Sequence, residues 1–416
     1  MTSLYTPDRA ELAEVLDGEP RYRLDQVWEG LYTQLAAPAD ISNIPKALRQ
    51  RLDTELPTAL KQVVRRVSDG GDTVKYLWEL HDGSRVETVL MLYPDRVTVC
   101  VSSQAGCAMA CGFCATGQAG FTRHLTVGEI VEQVVLAGRE ARAMGRRLAN
   151  VVFMGMGEPM ANEAAVWAAV ERFHGAIGMS ARHLTISTVG LVPGIKTLAT
   201  RPLPVNLAVS LHAANDTLRD ELVPINKRYP LDVLMAACAD YLAVKGRRIS
   251  FEWALIADVN DRPSDAAELA SMCRRFHLPA HVNLIPLNPT PGYPTVGSTP
   301  KKVHDFRDRL ESLGVNATVR TRPSALSVVE SRSNAVRVMT TAFSVSSIDG
   351  AASTLEAATS TASTAPIDEL RSPSLATASD VCATKSRSAT CCGSTSARWP
   401  FRSRPWPPPL PCCRSR

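Results

Sequence analysis

Residues 101–126 read VSSQAGCAMACGFCATGQAGFTRHLT, and within them Cys107, Cys111 and Cys114 follow a CxxxCxxC spacing. Three thiolates so spaced, on a loop after a strand, can take three corners of a [4Fe–4S] cluster. Three ligands leave one iron open, and an open iron can bind a small chelating substrate and pass it one electron. A structural zinc site competes with this reading. Zinc in such sites wants four protein ligands, and no His or Cys follows at finger spacing.

Strands and helices alternate outward from this loop, between Val97 and Arg322. Apolar runs at 97–103, 151–155, 183–188, 205–211, 249–256, 281–286 and 316–321 read as strands. The helices between them have legible ends. Thr126 and Glu129 form a capping-box pattern ahead of IVEQVVLAGREARAMG. Thr299 suits an N-cap, Pro300 the first helical position, and Gly314 a stop. Such alternation predicts an α/β fold with a parallel sheet, open or curled into a partial barrel. Ligand sites are then expected at the C-terminal ends of the strands.

Residues 1–75 look helical, because RLDQVWEGLYTQL and PKALRQRLDTEL place apolar residues at helical spacing and Pro45 suits the start of the second helix. We read a small N-terminal helical domain there. Residues 76–96 read as a β-hairpin connector, with Asp82-Gly83 at the turn between two alternating runs.

The 416 residues are 45% hydrophobic and 21% charged, which allows a sizeable core and excludes a wholly disordered or fibrous chain. No apolar run reaches membrane-spanning length, and MTSLYTPDRAELAEVL lacks a basic start followed by an apolar core. We therefore expect no membrane association and no secretory signal. The net charge of +5 misleads: ten of the 46 Lys/Arg and six of the 41 Asp/Glu lie after Arg322, leaving 36 and 35 before it. Any basic surface must be local. Six of the eleven cysteines precede Pro323, namely the triplet, Cys100, Cys238 and Cys273. Clustered cysteines without a signal peptide point to a cytoplasmic location and to metal or redox chemistry rather than structural disulfides. Residues 323–416 differ in kind, with 19 serines in 94 residues and only two of the 24 glycines. That composition predicts a disordered low-complexity tail, or a sequence never selected to fold.

Five ordered words narrow the reading: the quoted stretch, VVFMGMGEPM, HLTISTVGLVPGI, LAVSLHAANDTLRDELVPINKRYPL and VNLIPLNPTPG. The cysteine triplet resembles that of the radical S-adenosylmethionine (SAM) superfamily. The words together resemble the RlmN-type methyltransferases, from about residue 20 to Arg322. The resemblance implies a partial (β/α) barrel of the radical SAM type. It implies a [4Fe–4S] cluster on Cys107, Cys111 and Cys114, with SAM on the open iron. SAM contacts would come from Gly157, Glu158, Ser187, Ser210, Leu211, His212 and Asn288, each at or near a strand's C-terminal end. A glycine permits close backbone approach, and a carboxylate can accept a bond from an ammonium group.

The implied activity is methylation of C2 of adenine in 23S rRNA and tRNA, in a monomer served by an electron donor such as a flavodoxin-type reductant. Adenine C2 is not nucleophilic, so polar methyl transfer fails. The family instead loads a methyl group from one SAM onto a protein cysteine and activates it with a radical made from a second. The resemblance gives Glu87 the role of proton acceptor. It makes Cys100 the thiol that frees the product as a disulfide forms. Taken alone, a strand Cys is a small buried hydrophobe, and a hairpin Glu is a solvated face.

The family's methyl-carrying cysteine follows the last strand, in Val-Arg-x-Thr-Arg-Gly and then Ile-Asp-x-x-Cys-Gly-Gln-Leu. Here NATVRTR matches through Arg322 and the pattern stops, with Pro323 where Gly is expected and Glu330 in the carrier's ungapped place. A later echo, Ile348-Asp349-Gly350-Ala351-Ala352, also lacks a cysteine. A carboxylate cannot serve as carrier: its methyl ester would hydrolyse, and it has no sulfur for the later disulfide. This chain is therefore expected to be defective, and a reading-frame change just after Arg322 accounts for the abrupt loss of pattern and of glycine. The competing idea is a tail cysteine, for instance Cys382, folding back as carrier.

Candidate RNA contacts are Arg65-Arg66, Arg123, Arg146-Arg147, Lys227-Arg228, Arg247-Arg248 and Lys301-Lys302, with the helical segment as an RNA-positioning module. Two other functions compete: an adenine-C8 methyltransferase, and a non-catalytic RNA-binding protein that keeps the cluster.

Overall fold

A computed structural model describes residues 3–290 and 292–320, and one ten-stranded sheet organises them. The low-complexity tail, with Pro323, Glu330 and Cys382, lies outside the described residues. Helices α1 (Arg9–Val15), α2 (Tyr22–Trp28) and α3 (Lys46–Glu55) come first. Strands β1 (Lys61–Ser68), β2 (Thr73–Glu79), β3 (Arg85–Leu92) and β4 (Val97–Cys100) then pair antiparallel in turn. A separate ribbon, β5 (Gln104–Gly106) with β6 (Phe121–His124), flanks the short helix α4 (Ala115–Gln118).

From β4 onward the sheet is parallel. It runs through β7 (Leu148–Phe153), β8 (Leu184–Thr188), β9 (Asn206–Ser210), β10 (Ser250–Leu255), β11 (His281–Pro286) and β12 (Asn316–Val319). The crossovers carry α5 (Val127–Ala143), α6 (Glu163–Gly175), α7 (Val192–Thr200), α8 (Asp216–Leu222), α9 (Leu231–Lys245), α10 (Pro263–Arg275) and α11 (Pro300–Ser312). Strand order follows chain order without reversal. With right-handed crossovers this winds every helix onto one face and curls the sheet, as in a barrel. Among the described residues no pairing joins β12 back to β1, so the barrel is partial.

The expected helix ends are present. Thr126 and Glu129 exchange side-chain and backbone bonds at the start of α5, and Thr299 accepts from the Lys302 N–H at the start of α11. Outward residues of the strands pack under the helices, for example Phe153 against Phe173 and Trp253 against Phe306. Pairings such as Val89 with Cys100, Cys100 with Val152, and Glu252 with Ser210 and Asn283 leave the alternate residues facing the barrel interior.

Two expectations change. Lys61–Ser68, placed within the helical segment, is a strand. Its faces are mostly exposed, so lysine and arginine sit where apolar alternation would have marked it, as suits an edge strand. The hairpin also does more than connect, because β3 pairs with β4 and the antiparallel strands extend the barrel sheet. The N-terminal helices have no core of their own: Leu12, Leu31 and Leu52 belong to the same buried cluster as Val131, Phe153 and Trp253.

Candidate active site

The parallel strands end in one cleft. Its walls come from Cys107, Cys111 and Cys114, from Gly157 and Glu158 after β7, and from Ser187, Ser210, His212 and Asn288 on the next connections. Ribbon β5–β6 closes the neck of the cysteine loop, where the Cys107 N–H donates to Gly120 O at 2.8 Å. The Cys114 N–H donates to Cys111 O at 3.1 Å, and Ala110 adopts a φ of 53°. Gln118 Nε2 donates to Gly112 O at 2.7 Å and to Thr290 Oγ1 at 2.8 Å, tying the loop to the segment after β11.

All three cysteines are free thiols, as are Cys100, Cys238 and Cys273. Burial pushes Cys107 up to about 11 and raises Cys111 too, with the neighbouring thiol adding to both. Thiols so placed give up their protons readily only to a bound cation. Among the described residues no three His, Cys, Asp or Glu close around a single metal ion. An all-sulfur donor set at the rim of an open cleft fits an iron–sulfur cluster with a free corner.

Glu158 is 1% exposed. Its Oε1 accepts the Met160 N–H at 3.0 Å and its Oε2 the Val189 N–H at 2.8 Å, so one carboxylate joins the loops after β7 and β8. Burial pushes its carboxyl up to about 7, and a cation arriving in the cleft would restore the charged form. Gly157, at φ 101°, leaves no room for a side chain: a Cβ would stand 2.5 Å from Gln104 Cβ and 2.8 Å from its backbone nitrogen. His212 holds φ 62° and accepts the Ala254 N–H on Nδ1 at 2.9 Å. Burial drops it to about 3, so the ring is neutral with its proton on Nε2.

Three expected residues lie off the cleft. Leu211 is fully buried in the core and does not line the cleft. Glu87 and Cys100 sit on the inner face of the sheet, on neighbouring strands, and do not line the cleft. Burial pushes the Cys100 thiol up to about 12. Lys75 Nζ forms an ion pair with Glu87 Oε1.

Arg219 was not singled out from sequence, although it stands inside a quoted word. It is 1% exposed and donates to the carbonyls of Leu211, Ser210 and Val189 and to Asn226 Oδ1. Phe113, also missed, stacks edge-on against His212 at 4.7 Å. A fully buried arginine cannot be told from a surface one by helical spacing alone.

Several candidate RNA contacts already hold partners. Arg123 bridges Asp82 and Glu129, Arg65 pairs with Glu140, Lys301 with Asp305, and Lys302 with Asp258 and Asp261. Arg147, Lys227, Arg228 and Arg248 are exposed. Among the described residues no helix is long and apolar enough to cross a membrane.

A partial parallel barrel with a cysteine triplet on its first loop defines a radical SAM enzyme, and the sequence model of the Radical SAM superfamily matches residues 101–270. A probable dual-specificity RNA methyltransferase RlmN of Chloroflexus aurantiacus is 50% identical over 332 residues, spanning 76% of this chain and 88% of its own. Its counterpart in Salinispora tropica is 52% identical over 314 residues, spanning 73% and 84%. The crystal structure of a radical SAM methyltransferase from Sphaerobacter thermophilus matches with a TM-score of 0.74 at 49% identity, over 77% of this chain and 95% of that one. The chain belongs to the RlmN family of radical SAM RNA methyltransferases. That family implies a [4Fe–4S] cluster and SAM.

Proposed function

We propose that the chain is built to methylate C2 of adenine in 23S rRNA and tRNA, and that its own ending leaves the reaction incomplete. The observation that carries the reading is the convergence of three thiols and Glu158 on one cleft, with Glu87 and Cys100 on the inner face of the same sheet. Cys107, Cys111 and Cys114 would hold the cluster. Bound there, cluster and SAM supply the one-electron chemistry that makes an inert methyl group reactive.

The remaining steps belong to protein groups. Glu158 would accept from the ammonium group of bound SAM, and Gly157 would let the backbone approach it. Ser187, Ser210 and Asn288 offer polar contacts from three further connections, and His212 shapes the wall. Glu87, ion-paired with Lys75, would take the proton that leaves C2. Cys100 would stay protonated until the product is freed by disulfide formation with a carrier cysteine, the partner whose place Glu330 takes in this chain. The target adenine must leave its stack to reach this cleft. Exposed Arg147, Lys227 and Arg228, with the N-terminal helices, would position the RNA. A flavodoxin-type electron donor, a monomeric chain and a cytoplasmic location go with this reading.

The relatives match 73–77% of the chain. The unmatched remainder agrees in size with the 94 residues after Arg322, where the carrier cysteine's place holds Glu330. Two experiments test the reading. The first reads the DNA across the Arg322 codon in all three frames; another frame should continue with Gly and then Ile-Asp-x-x-Cys. The second grafts that ending onto Arg322. The natural chain should bind cluster and SAM without methylating an rRNA fragment, and the graft should methylate adenine, with mass mapping separating C2 from C8. Methylation by the natural chain would refute the defect. A graft that binds RNA and never methylates it would favour the RNA-binding reading.

A further inference from the structure

The barrel has a second mouth. At the N-terminal ends of the parallel strands, opposite the cysteine loop, its inner face encloses a cavity of about 710 Å³. That is the size of a small-molecule site. Four arginines line it, Arg96, Arg247, Arg248 and Arg320, against one carboxylate, Glu252. Glu252 is 2% exposed and already accepts from Ser250 Oγ at 2.6 Å and Asn283 Nδ2 at 2.7 Å. Arg96 is paired at the rim with exposed Asp95, and Arg247 donates to Asn206 Oδ1 at 2.7 Å. Arg248 is exposed. Arg320 is mostly buried, drawn by Glu252 and repelled by Arg96, and no acceptor among the described residues hydrogen-bonds its guanidinium. Like charges in a concave, poorly solvated wall focus a positive potential, and arginine forks match phosphate oxygens.

A second feature narrows the ligand. Asn283 is 3% exposed, and its Nδ2 donates to both Ser250 Oγ and Glu252 Oε1. Those two bonds fix which way the amide faces. Its Oδ1 is buried in the cavity wall, where the neighbouring His281 ring faces it without completing a full hydrogen bond. An unpaired buried acceptor costs free energy unless a donor arrives, and a hydroxyl group is such a donor.

We infer that this lower mouth is a ligand site in its own right, separate from the cysteine-lined cleft, for a hydroxyl-bearing phosphate of the ribose phosphate class. The arginines hold the phosphate, and Asn283 Oδ1 accepts from a sugar hydroxyl. The same chemistry is presented by a free sugar phosphate and by the backbone of an RNA.

Calorimetric titration of the full chain with ribose 5-phosphate tests the site. Saturable binding that SAM does not displace is expected. Arg247→Gln combined with Arg248→Gln should weaken it about tenfold or more, with SAM affinity unchanged; neither side chain supports the core, so the fold should survive. Displacement of the sugar phosphate by a short single-stranded oligoribonucleotide would identify RNA as the source, and its retention would identify a free metabolite; both outcomes support the site. Absence of binding, displacement by SAM, or full binding by the double variant overturns it.

Discussion

Lys75 Nζ lies 2.8 Å from Glu87 Oε1 on the inner face of the sheet, with the two side chains 9% and 7% exposed. Burial raises the proton affinity of Glu87, and Lys75 opposes the rise. Lys75→Met would strand a buried carboxylate. The expected loss is about 3–5 kcal/mol, read by urea unfolding. Lys75→Met with Glu87→Leu should recover most of it, because an apolar pair leaves no charge uncompensated. Equal losses in the single and double variants would show that the two residues are not coupled.

Glu132 on α5 supplies a pH dependence. It is 1% exposed, and its Oε2 accepts the Ala59 N–H at 2.8 Å, with the Leu60 N–H also facing the carboxylate. Burial pushes its carboxyl from 4.5 up to about 7. Between those values the folded chain holds a proton that the unfolded chain has lost. Stability from this group is therefore full below 4.5 and falls as pH rises to about 7. Glu158 titrates in the same window, also pushed up to about 7. Glu132→Gln should reduce the decline of melting temperature across that window without abolishing it. An unchanged slope would assign the whole effect elsewhere.

Gly157→Ala probes the cleft rather than the core. The added Cβ meets Gln104 at both its side chain and its backbone nitrogen, so a rotamer change alone cannot relieve it. Gln104 Oε1 also accepts the Glu158 N–H at 2.8 Å, so the displacement reaches the carboxylate. SAM affinity should fall by about tenfold or more in equilibrium dialysis, while iron content stays that of the parent chain. Loss of iron as well would mean that the loop after β7 also supports the cysteine loop.

The parallel strands and the cysteine loop were legible because each strand is a short apolar run closed by a readable helix end. The site followed because parallel strands deliver their C-terminal ends to one place, so residues scattered from Cys107 to Asn288 converge. What escaped depended on which face a polar residue takes. Lys61–Ser68 is an edge strand whose charges hide its alternation. Leu211 sits one residue beyond Ser210 and therefore turns outward, into the core. Lys75, Glu252 and Asn283 read as ordinary polar residues of strands, yet they point into the barrel. The tail carries no periodicity from which a partner face could be derived.

Arg219 shows how far such a hidden contact can matter. Its guanidinium reaches Leu211 O at 3.0 Å, Ser210 O at 3.3 Å, Val189 O at 2.7 Å and Asn226 Oδ1 at 2.7 Å. One side chain thus fixes the ends of β8 and β9 together with the turn Pro224–Lys227, and its charge favours the thiolate of Cys111. Arg219→Met would leave several buried acceptors unpaired, at about 1–3 kcal/mol for each one that water cannot reach. A lower melting temperature and weaker SAM binding are expected together, because Ser210 and His212 would lose their anchor. Arg219→Lys keeps the charge and loses the planar fork, so it should rescue little of either. Full rescue by lysine would mean that the positive charge near Cys111, and not the hydrogen-bonded junction of the loops, is what this position supplies.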